Sequence, residues 1–318
     1  MIENEIKKFR RALFVIESAG ELPLNALKLA TQYSENNDME LDIVCVLPDL
    51  TPLHYSNSSS FLMKLKDASI KSNQNRVLKT LNIALPDFDG EIKIVIGKQF
   101  IEVIRLVIKH QYDLLIKQTQ NTSWLDSVFG SNDLHFLRKC PCALWLIHEN
   151  APQAYKNIGF AIDYSDDKIE IELNQSLAQR AASFSGLFKT TLHIISAYDA
   201  GVANFASQWA VDAEKFEQDF LREERGRRNF ESDYLINSLR ETTKNAFPIS
   251  KRVVNGHPQT VIPKQVSALD IDLLIMGTVG RSGLMGMLIG NTAESILLQI
   301  NCSLFTEKPK GFKCPITF

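Results

Sequence analysis

Residues 276–292 read MGTVGRSGLMGMLIGNT and hold five glycines within fourteen positions, Gly277, Gly280, Gly283, Gly286 and Gly290. An apolar run, Leu273-Leu274-Ile275-Met276, leads into them, and an apolar helical pattern opens after them at Asn291-Thr292-Ala293-Glu294. A joint between a strand's carboxyl end and a helix N-terminus presents free backbone N–H groups, and the helix dipole there favours an anion. Gly277 and Gly280 carry no Cβ to hold a phosphate or a ribose away from the main chain. Asp163 ends an earlier apolar run, Gly159–Ile162, and a carboxylate in that place accepts hydrogen bonds from a sugar hydroxyl or a base amine. The chemistry these residues suit is the binding of a phosphorylated, sugar-bearing ligand. Taken alone, the glycines are equally well read as a turn. Their spacing matches neither the P-loop nor the Gly-x-Gly-x-x-Gly dinucleotide fingerprint.

Other reactive side chains form no catalytic or metal constellation. His54, His110, His135, His148, His193 and His257 are scattered without ligand spacing. His193 alternates with apolar neighbours and reads as structural; His257 follows the third strand of its half and is placed near the crevice. Ser165 lies in no Gly-x-Ser-x-Gly elbow. Cys140-Pro-Cys142 lacks the two further ligands that a metal needs. Lys117, at a strand end, reads as a solvated surface residue, and the mixed-sign run Arg222–Arg228 as a solvated helix face. Asp166-Asp167 reads as the cap of the helix that follows.

The chain repeats itself, and the repeat supplies the elements that position these residues. The stretch from Gly97 matches the stretch from Gly256: Val107 falls on Val266, Asp113 on Asp272 and Leu114-Leu115-Ile116 on Leu273-Leu274-Ile275. Gly130 falls on Gly290, and Leu13–Glu17 matches Gly159–Asp163. The second copy is longer in a charged stretch near 212–245. Two domains follow, 1–152 and 153–318. In the second copy, strands are expected at 158–162, 192–198, 251–255, 272–276 and 303–306, and helices at 171–185, 212–246, 258–269 and 292–300. Asn291 with Glu294 reads as a capping box. Apolar strands alternating with amphipathic helices imply α/β domains, each a five-stranded parallel sheet covered on both faces. Ligands of such doubly wound sheets sit beyond the strands' carboxyl ends, where the strand order reverses. The last strands, 143–148 and 303–307, are apolar edges. They are expected to pair as an intramolecular pseudo-dimer, and a homodimer of whole chains stays open.

Composition bounds the partners. The 318 residues carry 35 Lys+Arg against 37 Asp+Glu, a formal net charge of -2, with no basic block. Nucleic acid is therefore not an expected partner. No run approaches the about 20 apolar residues of a membrane span. Five cysteines in a chain of this size, with no leader-like apolar stretch, read as reduced thiols in a cytoplasm.

Gly277-x2-Gly280-x9-Gly290, followed by Asn291-Thr292 and paired with Asp163 at the end of a first strand, resembles the nucleotide motif of the universal stress protein family in its tandem form. The stretches Tyr112–Lys117, Leu137–Pro141, Gly277–Gly283 and Gly290–Glu294 carry the likeness, which spans the whole chain as two copies. The resemblance implies strand order 3-2-1-4-5 and ATP or AMP, the former with Mg2+, between the first and fourth strands. It implies that Asp163 contacts adenine or ribose, that Ala197 offers backbone to the adenine edge, and that Met276 and Gly277 line the ribose. Gly280, Gly290, Asn291 and Thr292 are the implied phosphate contacts, with Asn291 standing where the family usually has serine or threonine. The first copy departs further: Glu17 replaces the aspartate, and Gln118 and Asn121 replace the first two glycines. A nucleotide-binding regulator of stress resistance is the function so implied. A slow ATP hydrolase with autophosphorylation, and a scaffold whose crevice serves another ligand, stay open beside it.

Overall fold

The computed structural model describes residues 8–49, 59–119, 131–199, 201, 212–244, 246–278 and 289–317. Their contacts divide the chain between Gln153 and Ala154, and residues 313–317 cluster with the first unit rather than the second. Within the first unit, Cys314 Sγ donates to the Lys139 carbonyl at 3.2 Å and Arg105 Nε to the Thr317 carbonyl at 3.3 Å.

The first unit runs β1 (Arg11–Ile16), α1 (Leu24–Asn36), β2 (Glu40–Leu47), α2 (Ser59–Ala84), β3 (Ile92–Ile96), α3 (Gln99–His110), β4 (Leu114–Gln118), α4 (Ser131–Lys139) and β5 (Ala143–Ile147). The second runs β6 (Asn157–Ala161), α5 (Lys168–Phe188), β7 (Thr191–Tyr198), α6 (Ala213–Thr243), β8 (Ile249–Asn255), α7 (Pro258–Ala268), β9 (Leu273–Met276), α8 (Asn291–Leu297) and β10 (Ser303–Thr306). All pairings within each unit are parallel. The order is β3-β2-β1-β4-β5 in one and β8-β7-β6-β9-β10 in the other, so both follow 3-2-1-4-5.

The central strands are buried throughout because helices cover both faces: Leu13, Phe14, Leu115 and Ile116 in the first unit and Phe160, Leu274 and Ile275 in the second have no exposed surface. In α3 the buried residues are Phe100, Val103, Ile104 and Val107, the i, i+3, i+4, i+7 stripe of a surface helix. No helix among the described residues is long and apolar enough to cross a membrane.

The repeat seen in the sequence is present in the backbone. Gly97 and Gly256 both take positive φ, 149° and 136°, which side-chain-bearing residues rarely adopt. Each donates its N–H back to the end of the second strand, to Leu47 and Tyr198 respectively, at 2.9 and 2.7 Å. Asp113 and Asp272 each clamp the start of their unit's first strand. Asp113 Oδ2 accepts from the Arg10 and Arg11 amides at 2.8 and 3.3 Å, and Asp272 Oδ2 from those of Lys156 and Asn157 at 2.6 and 3.1 Å. The matching aspartates thus fix the two sheets rather than serve a ligand.

Candidate functional site

In the second unit, strand register brings most of the expected site residues to one end of the sheet. Ala161 pairs with both Ile195 and Met276, so Asp163, two residues on, lies at the level of Ala197 on β7 and of Thr278 beyond β9, one residue past Gly277. Ala197 and Met276 are buried, while the Asp163 side chain is 65% exposed. Past the loop, the Gly290 amide donates to the Thr278 carbonyl at 2.9 Å, which closes the loop and sets α8 against the end of β9. Asn291 and Thr292 are exposed. Gly280 lies outside the described residues.

Two details correct the expected local chemistry. Gly290, not Asn291, is the N-cap of α8, and it makes no side-chain cap bond; Asn291 is already the first helical residue. The Gly290 N–H is also used internally, so the donors left without an intrahelical acceptor at this end are the first-turn amides of Asn291, Thr292 and Ala293. A Cβ on Gly277 points at α5, meeting Leu173 Cδ2 at 3.4 Å and Leu177 Cδ1 at 3.9 Å. Both are ordinary van der Waals distances, so packing against α5 does not itself require a glycine there.

Asp163 does not cap α5. Asp167 does, accepting from the Ile169 and Glu170 amides at 2.8 and 3.1 Å, in line with the capping role read for the Asp166-Asp167 pair. The Asp163 carbonyl accepts from Asn174 Nδ2 at 2.8 Å. Its carboxylate is met by Arg228 of α6: Nη1 lies 3.0 Å from Asp163 Oδ1 and donates to Ser196 Oγ at 3.0 Å, and Nε donates to Glu224 Oε2 at 3.2 Å. The Arg228 side chain is only 10% exposed. The solvated-face reading of Arg222–Arg228 therefore fails at its last residue. A stripe traced back from Leu239 through Ile236 and Ser232 arrives at Arg228, and that spacing was the available signal. Arg227 stays on the outside, bonded to Glu224 and Glu231, and its hydrogen bond holds the Glu224 carboxyl below the usual range.

His257 sits at the same end of the sheet, beyond β8, with Nδ1 2.6 Å from Asp199 Oδ2 and its side chain 68% exposed. His193 is structural, as expected, at the opposite strand ends: Ser250 Oγ lies 2.7 Å from Nδ1, and burial pushes its pKa down. Among the described residues no group of three or more His, Cys, Asp or Glu side chains could hold a metal ion.

In the first unit charged side chains meet at the corresponding strand ends. Lys117, expected at the surface, is instead buried: its side chain is 3% exposed and that of its partner Asp133 1%, with Nζ to Oδ1 at 3.0 Å. The same ammonium lies 3.4 Å from Glu17 Oε1 and donates to the Gln118 carbonyl at 3.1 Å. Gln99 Nε2 donates to the other Glu17 oxygen at 3.1 Å. By the repeat, Lys117 corresponds to Met276 and Asp133 to Ala293. Gln118 ends β4, and Asn121 lies outside the described residues.

The profile of the universal stress protein family matches the chain twice, over residues 8–148 and 154–306. The chain belongs to the universal stress protein family. A universal stress protein E homolog of Haemophilus influenzae is 26% identical over 314 residues, covering 95% of this chain and 98% of that one. Universal stress protein E of Photorhabdus laumondii is 29% identical over 238 residues, 72% of each chain. Among solved structures, a functionally unknown Pseudomonas aeruginosa protein superposes with a TM-score of 0.68 at 22% identity, covering 96% of this chain and 95% of that one. That likeness bears on the fold alone. In this universal stress protein the two family domains are in tandem, and each brings a first-strand carboxylate to the sheet's carboxyl end, paired differently in the two.

Proposed function

We propose that this chain is a cytoplasmic, nucleotide-binding regulator of stress resistance, and that its second unit alone takes the ligand, ATP or AMP. Membership of the family and the match of Asp163, Gly277, Gly280 and Gly290 to its motif support this reading. The observation that carries it is the side from which the Asp163 carboxylate is neutralised. Arg228 approaches from α6 and bonds to Ser196 on β7, so the fourth-strand position that Lys117 holds in the first unit is free for an uncharged residue, and among the described residues the cation by β9 is Lys308, 3.4 Å from the Thr278 hydroxyl. Met276 and Ala293 stand at the positions of Lys117 and Asp133.

Asp163 then accepts from the ribose or the adenine amine, the Ala197 backbone meets the adenine edge, and Met276 and Gly277 border the ribose. The Asn291 and Thr292 amides, with the Asn291 side-chain amide and the Thr292 hydroxyl, are suited to phosphate oxygens; Gly280 contributes backbone of the loop. Mg2+ would accompany the triphosphate. The cytoplasmic assignment draws on five cysteines, none of which forms a disulfide.

Native mass spectrometry of the purified chain with added ATP tests the proposal, with Gly280→Gln as the comparison. One nucleotide bound per wild-type chain and none per variant is expected. Unchanged binding in Gly280→Gln overturns the assignment.

A further inference from the structure

We infer that Arg228 is the positioning residue of the ligand crevice, a fixed countercharge that lets an acidic site admit a polyanionic nucleotide. The inference rests on the nucleotide reading above. Its basis is the charge balance around Asp163. Asp163, Glu224 and Glu231 carry negative charge and are answered by Arg227 and Arg228, while Asp199 lies against His257. Arg227 is turned to Glu224 and Glu231, so the charge on Asp163 is met by Arg228. A bare carboxylate at the crevice repels phosphate across about 30 Å at about 0.01 M salt and across only about 10 Å at about 0.1 M. Paired with a guanidinium that it shares with Glu224, it keeps its second oxygen as a hydrogen-bond acceptor while its charge is partly offset.

The geometry suits positioning more than direct contact. The Arg228 side chain is nearly buried and held at Nη1 and Nε by Asp163, Ser196 and Glu224. Its own carbonyl accepts from Ser232 Oγ at 2.7 Å, and Ser232 Oγ accepts from the Tyr164 hydroxyl at 2.8 Å. Tyr164 adjoins Asp163, so α6 grips the strand end at two points. The first unit shows the contrast. There Arg76 of α2 gives its terminal nitrogens to the Glu17 and Gly20 carbonyls at 2.8 and 2.7 Å and leaves the Glu17 carboxylate to Lys117. An arginine on the long helix is thus common to both units, but only in the second does it neutralise the first-strand carboxylate.

The test is titration of the full chain with ATP and with adenosine, at low and at high salt, for wild type, Arg228→Met and Arg228→Lys. Arg228→Met is expected to lose about tenfold more affinity for ATP than for adenosine at low salt, with the gap narrowing as salt rises. Arg228→Lys, which keeps the charge, is expected to recover most of the ATP affinity. A merely structural arginine weakens both ligands equally and independently of salt, and that result overturns the inference, as does unchanged ATP binding by Arg228→Met. Wild type that binds neither ligand overturns the nucleotide reading and this inference with it, whereas wild type that binds both while Arg228→Met matches it overturns the inference alone.

Discussion

The two crevices hold a carboxylate at the same place, one past the end of β1 and one past the end of β6, and they neutralise it from opposite sides. In the first unit the countercharge is Lys117 on the fourth strand of the order, locked to Asp133 of α4. In the second it is Arg228 on the helix after the second strand, bonded also to Ser196. The first arrangement places a desolvated ion pair between β4 and α4; in the second the corresponding positions are the buried, uncharged Met276 and Ala293. One fold therefore pairs its first-strand carboxylate with a buried lysine in one unit and with an arginine of the long helix in the other.

The largest way to break this comparison is to remove one half of the buried pair. Lys117→Met leaves Asp133 buried without its cation and is expected to destabilise the first unit by about 3–5 kcal/mol, measured by urea unfolding of the whole chain. Lys117→Met combined with Asp133→Ala is expected to recover most of that loss, because no uncompensated charge remains. If the single change is harmless, the pair does not hold the crevice shut.

On the other side of the comparison, Asp163→Ala removes the acceptor assigned to the ligand. Hydrogen bonds to a charged group contribute about 1.5–3 kcal/mol, so ATP affinity is expected to fall by about one to two decades by calorimetric titration. A ligand-induced melting shift that survives in Asp163→Ala contradicts the site.

Asp167→Ala sharpens the distinction between cap and site. It removes the bonds to the Ile169 and Glu170 amides and is expected to cost about 1 kcal/mol of stability with ATP affinity unchanged. Gly277→Ala carries the smallest expected effect, under about 1 kcal/mol, since its Cβ meets Leu173 at a tolerable distance. A large loss of ATP affinity in that variant, with stability kept, shows that the ligand rather than α5 needs the glycine.

Much of this fold was legible in the sequence, because apolar strands buried on both faces leave continuous runs and because each element appears twice. Leu114-Leu115-Ile116 and Leu273-Leu274-Ile275 named the fourth strands, and the order 3-2-1-4-5 followed from the resemblance. The candidate carboxylate and the glycine loop were legible for the same reason. Side-chain direction was not. Lys117 looked like a surface residue because its partner Asp133 is sixteen positions away, across a stretch with no regular spacing. Arg228 looked solvated because the charges beside it are, and burial of one residue in a charged run depends on where the helix meets the strand ends. Gly290 took the capping place from Asn291 because its amide is drawn back to Thr278, a contact that closes over the loop and has no signature in local propensity.

The most direct measurement is the stoichiometry of ATP binding by isothermal titration calorimetry on three proteins: wild type, Asp163→Ala, and the Lys117→Met/Asp133→Ala double variant. One site per chain in wild type and in the double variant, with binding weakened by at least about tenfold in Asp163→Ala, is the expected result. Two sites in wild type, or binding that survives in Asp163→Ala and is lost in the double variant, contradicts a ligand crevice confined to the second unit.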